Sequence, residues 1–265
     1  MIVTKNGLHL SLRDTGAEGS RGDRAAFFQV FFAGEYDFLL SRISPGDVVL
    51  DAGANIGCFT IQASQLVGPR GVVIAVEPEA ANADCLKANV RLNHLQNVTV
   101  LERALDAVSD KTVHIVGTGA MASLAQAGIG VRTITLDDVL TRLATEKFDL
   151  IKMDIEGSER LVFQTALTSA ALGRARAIAV EVHGSESLRL VQGRLLEEGY
   201  SSVSKVKPES DFLLNIVRQS VRRPDLALRL YGTEIVGVVA RMISGARRDR
   251  AGSRTPLVGL VYASR

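Results

Sequence analysis

The chain has 265 residues, 46% of them hydrophobic and 23% charged, and a formal net charge of +2. That is enough for one large α/β domain or two small ones, of ordinary globular composition, with no overall charge to draw it to nucleic acid or a membrane. Two cysteines, Cys58 and Cys85, in no Cys/His spacing pattern exclude a disulfide framework and a structural zinc site, and a reducing cytoplasm is the expected setting.

The N-terminal MIVTKNGLHLSLRD lacks the apolar stretch of a secretory signal, and no apolar run reaches the roughly 18 residues of a membrane span. IVTKNGLHLSL predicts two short strands about an Asn6-Gly7 turn. TGAEGSRGDR (15–24) reads as a flexible loop, and AAFFQVFFAGEYDFLL (25–40) as helical with a break near Gly34. Phe27, Phe28, Phe31 and Phe32 are then either core or a lid over a ligand. Ser44-Pro45-Gly46-Asp47 is a turn into the first long strand.

That strand opens VVLDAGANIG (48–57). Val48-Val49-Leu50 is short, β-branched and unbroken, as a strand buried on both faces should be. Asp51 lies at its C-terminal edge, and Gly53, Ala54, Asn55 and Gly57 form a small-residue loop. From Ile56 the pattern turns helical, with Phe59, Thr60, Ala63 and Leu66 at helical spacing; Cys58 in that pattern reads as a packed thiol. Strands follow at 72–76, 98–101, 148–153, 177–182 and 200–205, with helices at 79–93 and 157–170 among others. Strands alternating with helices imply a doubly wound, mostly parallel α/β sheet. Residues 111–140 add an excursion of two extra strands and a helix starting at Asp137-Asp138. Between 205 and 254 eleven Lys/Arg face five Asp/Glu, a basic segment read as two helices split near Gly232 and a loop. PLVGLVYAS closes the chain as a strand in an antiparallel edge hairpin with 200–205. The division is 1–45 for hairpin and lid helices, 46–207 with 255–265 for the core, and 208–254 for a basic helical insertion before the last strand.

A strand, a Gly-rich turn and a helix N-terminus make a site for a nucleotide-like ligand. The dinucleotide fingerprint G-x-G-x-x-G is broken here, and Asp51 would face a pyrophosphate as a like charge. S-adenosylmethionine (SAM) has no phosphate, and its ammonium suits a carboxylate such as Asp51, directly or through water. Glu77, ending VVIAVEPEA ahead of Pro78, can accept two hydrogen bonds from ribose hydroxyls. Glu102 to Leu105, Ala104 among them, end the third strand and are candidates to meet the adenine.

DAGANIGCFT, VIAVEPEA, LKANVRLN, ITLDD, and FDLIKMDIEGSE followed by AVEVH occur in one order and spacing. Over residues 34–184 the chain resembles the FkbM-type SAM-dependent methyltransferases, within the class I fold. The resemblance implies a seven-stranded sheet, an O-methyltransferase acting on a hydroxyl of a small molecule or glycan, and, through GEYDFL, Glu35 or Tyr36 near the cofactor. It fades after His183.

Methyl transfer to an alcohol needs a group that takes the hydroxyl proton, or an activating metal. Strand ends beside the switch point are where such chemistry sits. DLIKMDIEGSE ends with Asp154, which also borders the cofactor, then Glu156 and Glu159, the last placed to complement a helix dipole. Lys152, inside the strand, is expected to pair with a neighbouring acid. AIAVEVHG ends with Glu181 and His183. His183 is the preferred base, because imidazole titrates near working pH, with Asp154 beside it and Glu156 and Glu181 in support. Asp154, Glu181 and His183 also form a set suited to a divalent metal such as Mg²⁺, and the sequence does not choose between the roles. The basic segment raises an RNA methyltransferase as an alternative, but aromatic residues for base stacking are scarce there, Tyr231 standing nearly alone. A non-catalytic adenosyl-binding protein is the third reading, and a homo-oligomer is compatible with all three.

Overall fold

The N-terminal alternation makes a hairpin: β1 (Ile2–Lys5) and β2 (Leu8–Ser11) pair antiparallel. Asn6 and Gly7 hold φ of 54° and 79°, the left-handed pair that a two-residue turn requires. The structure, a computed structural model, describes residues 2–13, 18–32, 34–116, 123–125, 128–156, 158–164, 169–206 and 258–265. The helices and basic loop expected over 208–254 lie outside those residues.

The stretch expected as a loop is helical where described, as α1 (Glu18–Ala26). Two interior glycines oppose that by roughly 1 kcal/mol each, and a tertiary contact outweighs them. Asp23 is fully buried and accepts the backbone N–H of Arg13 at 2.7 Å and its Nε at 3.0 Å. The helix widens into a π-helical run, Phe27–Phe32, whose Phe27 and Phe31 rings stack at 5.5 Å inside the core. The break falls at Gly34 (φ 71°) before α2 (Asp37–Leu40).

The main sheet combines β3 (Val48–Ala52), β4 (Val72–Val76), β5 (Val98–Leu101), β10 (Leu150–Met153), β11 (Ala177–His183), β12 (Ser202–Val206) and β13 (Val258–Ser264). Its order is β12-β13-β11-β10-β3-β4-β5, parallel except for β13, which runs antiparallel to both neighbours. The sequence therefore yields the expected seven-stranded, mostly parallel sheet, with β12 and β13 as the expected antiparallel pair at its edge. Within that pair β12 is the outer strand and β13 lies between it and β11. Its Val261 and Ala263 are fully buried and Leu260 and Tyr262 nearly so, a strand covered on both faces, whereas the serines and lysine of β12 suit an edge.

Helices cover both faces. α3 (Cys58–Val67) and α4 (Ala80–Leu92) follow β3 and β4; α5 (Leu136–Arg142), α6 (Glu159–Gln164), α7 (Ser169–Gly173) and α8 (Ser185–Glu197) serve the other half. α5 begins one residue before the expected Asp137-Asp138, capped by Thr135. Among the described residues the excursion carries three strands where two were expected, β7 (Thr112–Val116), β8 (Ser123–Ala125) and β9 (Ile129–Ile134), which form a second sheet with β6 (Ala104–Leu105). Strand alternation splits the core. Val49, Leu150, Ala177 and Ala179 pack with the hairpin and the phenylalanines, whereas Leu50, Ile151, Ile178 and Val180 pack with α5–α8. Among the described residues no helix is long and apolar enough to cross a membrane.

Candidate functional site

The same alternation assembles the site. Successive strand residues face opposite sides, so Asp51, Lys152 and Glu181 share the face of Val49, Leu150 and Ala179. Register completes the arrangement: Lys152 lies opposite Asp51 on β3 and opposite Ala179 on β11. The short Ala179 leaves the lysine side chain room between two strands.

Gly53 marks where two cavities meet. At φ 75°, with a Cβ there falling 1.7 Å from the Asp154 carbonyl oxygen, only glycine fits between the loop and the end of β10. On one side is an apolar recess lined by Val76, Pro78, Ala104, Leu105, Ile115 and Ile155. On the other is a wider cleft, open to solvent. The second is walled by Asn55, Phe59 and Glu77 on the loop side, and by Glu35, Tyr36, Lys152, Asp154, Glu156 and Glu181 on the other.

Glu77 is almost fully buried. Its carboxylate accepts the backbone N–H groups of Asn55 at 2.7 Å and Glu79 at 2.9 Å. Burial still outweighs those bonds and pushes its carboxyl up to about 7. Asn55 takes the left-handed conformation, φ 51°, and its buried Oδ1 has no hydrogen-bond partner among the described residues.

Asp51 does not line the cleft. Its carboxylate lies in the wall, fully buried, accepting Thr60 Oγ1 at 2.6 Å and standing 3.0 Å from Lys152 Nζ. Lys152 is the acid's partner expected from the sequence and is itself 4% exposed. Its ammonium also donates to the Gly53 carbonyl at 3.1 Å, stands 3.9 Å from Asp154 Oδ2, and lies 5.2 Å from the Tyr36 ring centre. Burial alone would lower its pKa; the charges of Asp51 and Asp154 outweigh that and raise it.

Tyr36, 3% exposed, places its hydroxyl 3.1 Å from Asp154 Oδ2 and 3.3 Å from Glu181 Oε2. Burial first, then the charges of Asp154 and Glu35, lift Glu181 to about 8. Burial and Asp154 lift Glu35 to about 7. Several carboxyl groups crowd one poorly solvated space, and they cannot all hold charge together.

Not every expected residue lies here. His183 is not among the residues lining the cleft. Its backbone N–H donates to Glu159 Oε1 at 2.8 Å, and its ring nitrogens stand 3.5 Å from Glu159 and 3.6 Å from Glu156. The Glu159 carboxylate, against the effect of burial, raises the imidazole to about 9. At neutral pH it holds its proton, the opposite of what a general base requires. Glu159 is fully buried; burial would raise its carboxyl, but the bonds from His183 outweigh this and lower it. Glu102 is exposed and pairs with Lys87, away from both cavities, whereas Ala104 lines the apolar recess. Gly57 sits behind the cleft as the N-cap of α3, φ 90°. Among the described residues no group of three or more His, Cys, Asp or Glu is arranged to hold a metal ion, so Asp154, Glu181 and His183 do not converge as the metal set they suggested. Sequence reasoning missed Thr60 and Asn82. Asn82 links Arg13, at 2.7 Å, to the Glu77 end of the cleft, and no spacing in the sequence announces it.

The sequence matches the family described as Methyltransferase FkbM domain over residues 51–202. It is 27% identical over 204 residues to the 31-O-demethyl-FK506 methyltransferase FkbM of Streptomyces tacrolimicus, covering 63% of this chain and 77% of that one. Among solved structures it is similar to a methyltransferase FkbM from Methylobacillus flagellatus, at 20% identity and a TM-score of 0.46, covering 63% of this chain and 42% of that one. It is also similar to the SAM-bound fibrillarin of Aeropyrum pernix, at 13% identity and a TM-score of 0.45, covering 84% and 68%. With its match spanning more than half its length, the chain belongs to the FkbM family of S-adenosylmethionine-dependent methyltransferases.

Proposed function

We propose that the chain transfers a methyl group from SAM to a hydroxyl oxygen of a small molecule or glycan. The observation that carries this is the Tyr36 hydroxyl held between Asp154 and Glu181 on the wall of the cleft. The O-methylating activity in the name of the Streptomyces relative supports it.

The residues fit the cofactor. Glu77 retains lone pairs for ribose hydroxyls. The Oδ1 of Asn55, without a partner among the described residues, is an acceptor for a ligand donor, since a buried acceptor left unpaired costs about 1–3 kcal/mol. Pro78, Ala104, Leu105 and Ile155 offer apolar surface to a base, and Glu35 offers a carboxylate to the ammonium end. When bound, SAM supplies an electrophilic methyl on a sulfonium. The protein must exclude water, present the hydroxyl in line and take its proton. Asp154, bridged to Glu181 by the Tyr36 hydroxyl, is the candidate to take that proton. Glu35, Asp154, Glu156 and Glu181 around one cleft oppose a polyanion such as RNA and favour a neutral or cationic alcohol. The small-molecule or glycan reading therefore stands ahead of the RNA reading.

The test is transfer of labelled methyl from SAM to a panel of macrocyclic alcohols, sugars, aminated polyols and bulk RNA. Base-stable label in an alcohol, lost in Asp154→Asn, is the expected outcome. Label in RNA alone would overturn the hydroxyl reading, and failure of the wild type to bind S-adenosylhomocysteine would overturn the cofactor assignment.

A further inference from the structure

The recess beyond Gly53 is apolar apart from two side chains, Arg103 and Ser158. A guanidinium in such a wall calls for a partner, because it carries only donors and loses water where it is covered. Local structure aims it there. β5 ends at Leu101 and β6 begins at Ala104, and between them the Arg103 backbone N–H donates to the Leu101 carbonyl at 2.9 Å. In that tight connection the two side chains part. Glu102 is exposed and pairs with Lys87 on α4, whereas Arg103 is half-buried and lines the recess. Its Nη1 donates to the Glu102 carbonyl at 2.9 Å, but its Nε is buried with no hydrogen-bond partner among the described residues. Of the buried side-chain atoms in that condition among the described residues, only Asn55 Oδ1 and Arg103 Nε belong to residues that line the two cavities. The cleft thus holds an unpaired acceptor and the recess an unpaired donor. In a mostly apolar pocket, a few placed polar groups are what fix a ligand's orientation.

Resting on the reading of the cofactor site above, we propose that Arg103 is a binding residue for the cofactor's base: its Nε–H donates to a ring nitrogen of the adenine. Position supports this. Pro78, which lines the recess, directly follows Glu77 of the cleft, so a ligand whose ribose meets Glu77 delivers its base beside Arg103. Chemistry supports it as well. Pro78, Leu105, Ile115 and Ile155 can cover the faces of a base but bring no side-chain acceptor to the Nε. The unprotonated ring nitrogens of adenine are acceptors, and they point outward in the plane of the ring. Stacking the guanidinium on the base would hold the Nε–H parallel to the ring and leave it unpaired. An approach to the ring's edge pairs it, and a bond from a charged donor is worth more than one between neutral groups.

The experiment needs no acceptor. Calorimetry on the full chain compares S-adenosylhomocysteine with its 1-deaza, 3-deaza and 7-deaza analogues, each of which replaces one ring nitrogen by C–H. The wild type is set beside Arg103→Met, which keeps an apolar stem and removes the donors. At least one analogue is expected to bind the wild type about tenfold or more weakly than the parent does, and to bind Arg103→Met within about twofold of the parent. That difference is a pairwise coupling between the arginine and one ligand atom, which an arginine with a merely structural role would not produce. If no analogue is weakened in the wild type, or if every analogue is weakened equally in the two proteins, the proposal is overturned. Arg103→Ala takes the place of Arg103→Met if the latter does not fold, and the wild-type series stands on its own. A wild type that binds S-adenosylhomocysteine without discriminating among the analogues overturns only the part given to Arg103, whereas one that does not bind it at all overturns the cofactor reading itself.

Discussion

At the scale of single residues, the two groups with the clearest consequences are Glu77 and His183. Burial holds the Glu77 carboxyl at about 7, and ribose hydroxyls donate to its ionised form. Affinity for S-adenosylhomocysteine should therefore rise as pH increases toward 7 and level off above, each pH unit below costing up to about tenfold. Calorimetry from pH 5.5 to 8.5 checks this, and Glu77→Gln should flatten the curve while weakening binding by about 1–3 kcal/mol. Affinity independent of pH in the wild type would remove Glu77 from the cofactor site. His183 has a different part. With Glu159 buried beneath it, His183→Ala strips a carboxylate of its charged partner and should lower stability by about 1–3 kcal/mol. It should leave affinity for S-adenosylhomocysteine within about twofold. A denaturant midpoint equal to that of the wild type would contradict this structural role.

The element that matters most is the junction between the glycine loop and the end of β10. A Cβ on Gly53 would overlap the Asp154 carbonyl oxygen, and the backbone there holds φ 75°. Both the clash and the conformation are intolerant of a side chain. Gly53→Ala should lower stability by more than about 2 kcal/mol and, by pushing loop from strand, weaken S-adenosylhomocysteine at least about tenfold. A variant that binds normally would show that the loop can shift without disturbing the site. The junction also explains why alternation matters. Asp51, Lys152, Asp154 and Glu181 meet because β3, β10 and β11 pair in the observed register; a slip of one residue would turn every one of them to the opposite face.

For the whole molecule, the raised groups act in one direction. Glu35, Glu77 and Glu181 hold folded values of about 7, 7 and 8, and His183 about 9. In each case the folded state binds its proton more tightly than the unfolded chain does. Their stability is full below the ordinary values, 4.5 for the glutamates and 6.5 for the histidine, and is lost as pH rises through the folded ones. The melting temperature of the ligand-free protein should therefore fall between about pH 5.5 and 9, by on the order of 5 °C. Scanning fluorimetry reads this directly, and a flat or rising profile would show that the crowded carboxyls are better solvated than the geometry allows.

The sequence by itself determined the alternating strands and helices, the glycine loop after β3, the acid ending β4 and the acids ending β10 and β11. Each of these is written locally. A strand buried on both faces must be an unbroken apolar run, a tight turn beside a ligand must use small residues, and a carboxylate at the end of a buried strand stands out from its neighbours. Tertiary structure alone decided the rest. α1 forms across its glycines because Asp23 meets Arg13. Of the expected edge pair, β13 takes the inner place beside β11 because both its faces find cover. Asp51 faces Lys152 and Thr60 within the wall of the site, and His183 holds its proton because Glu159 lies beneath it. The reason is common to all of these. Identity places an ionisable group in the chain, but its charge depends on which partners lie within a few ångströms in a space that water poorly reaches. Those partners come from strands and helices distant in sequence, brought together only by the register of the sheet.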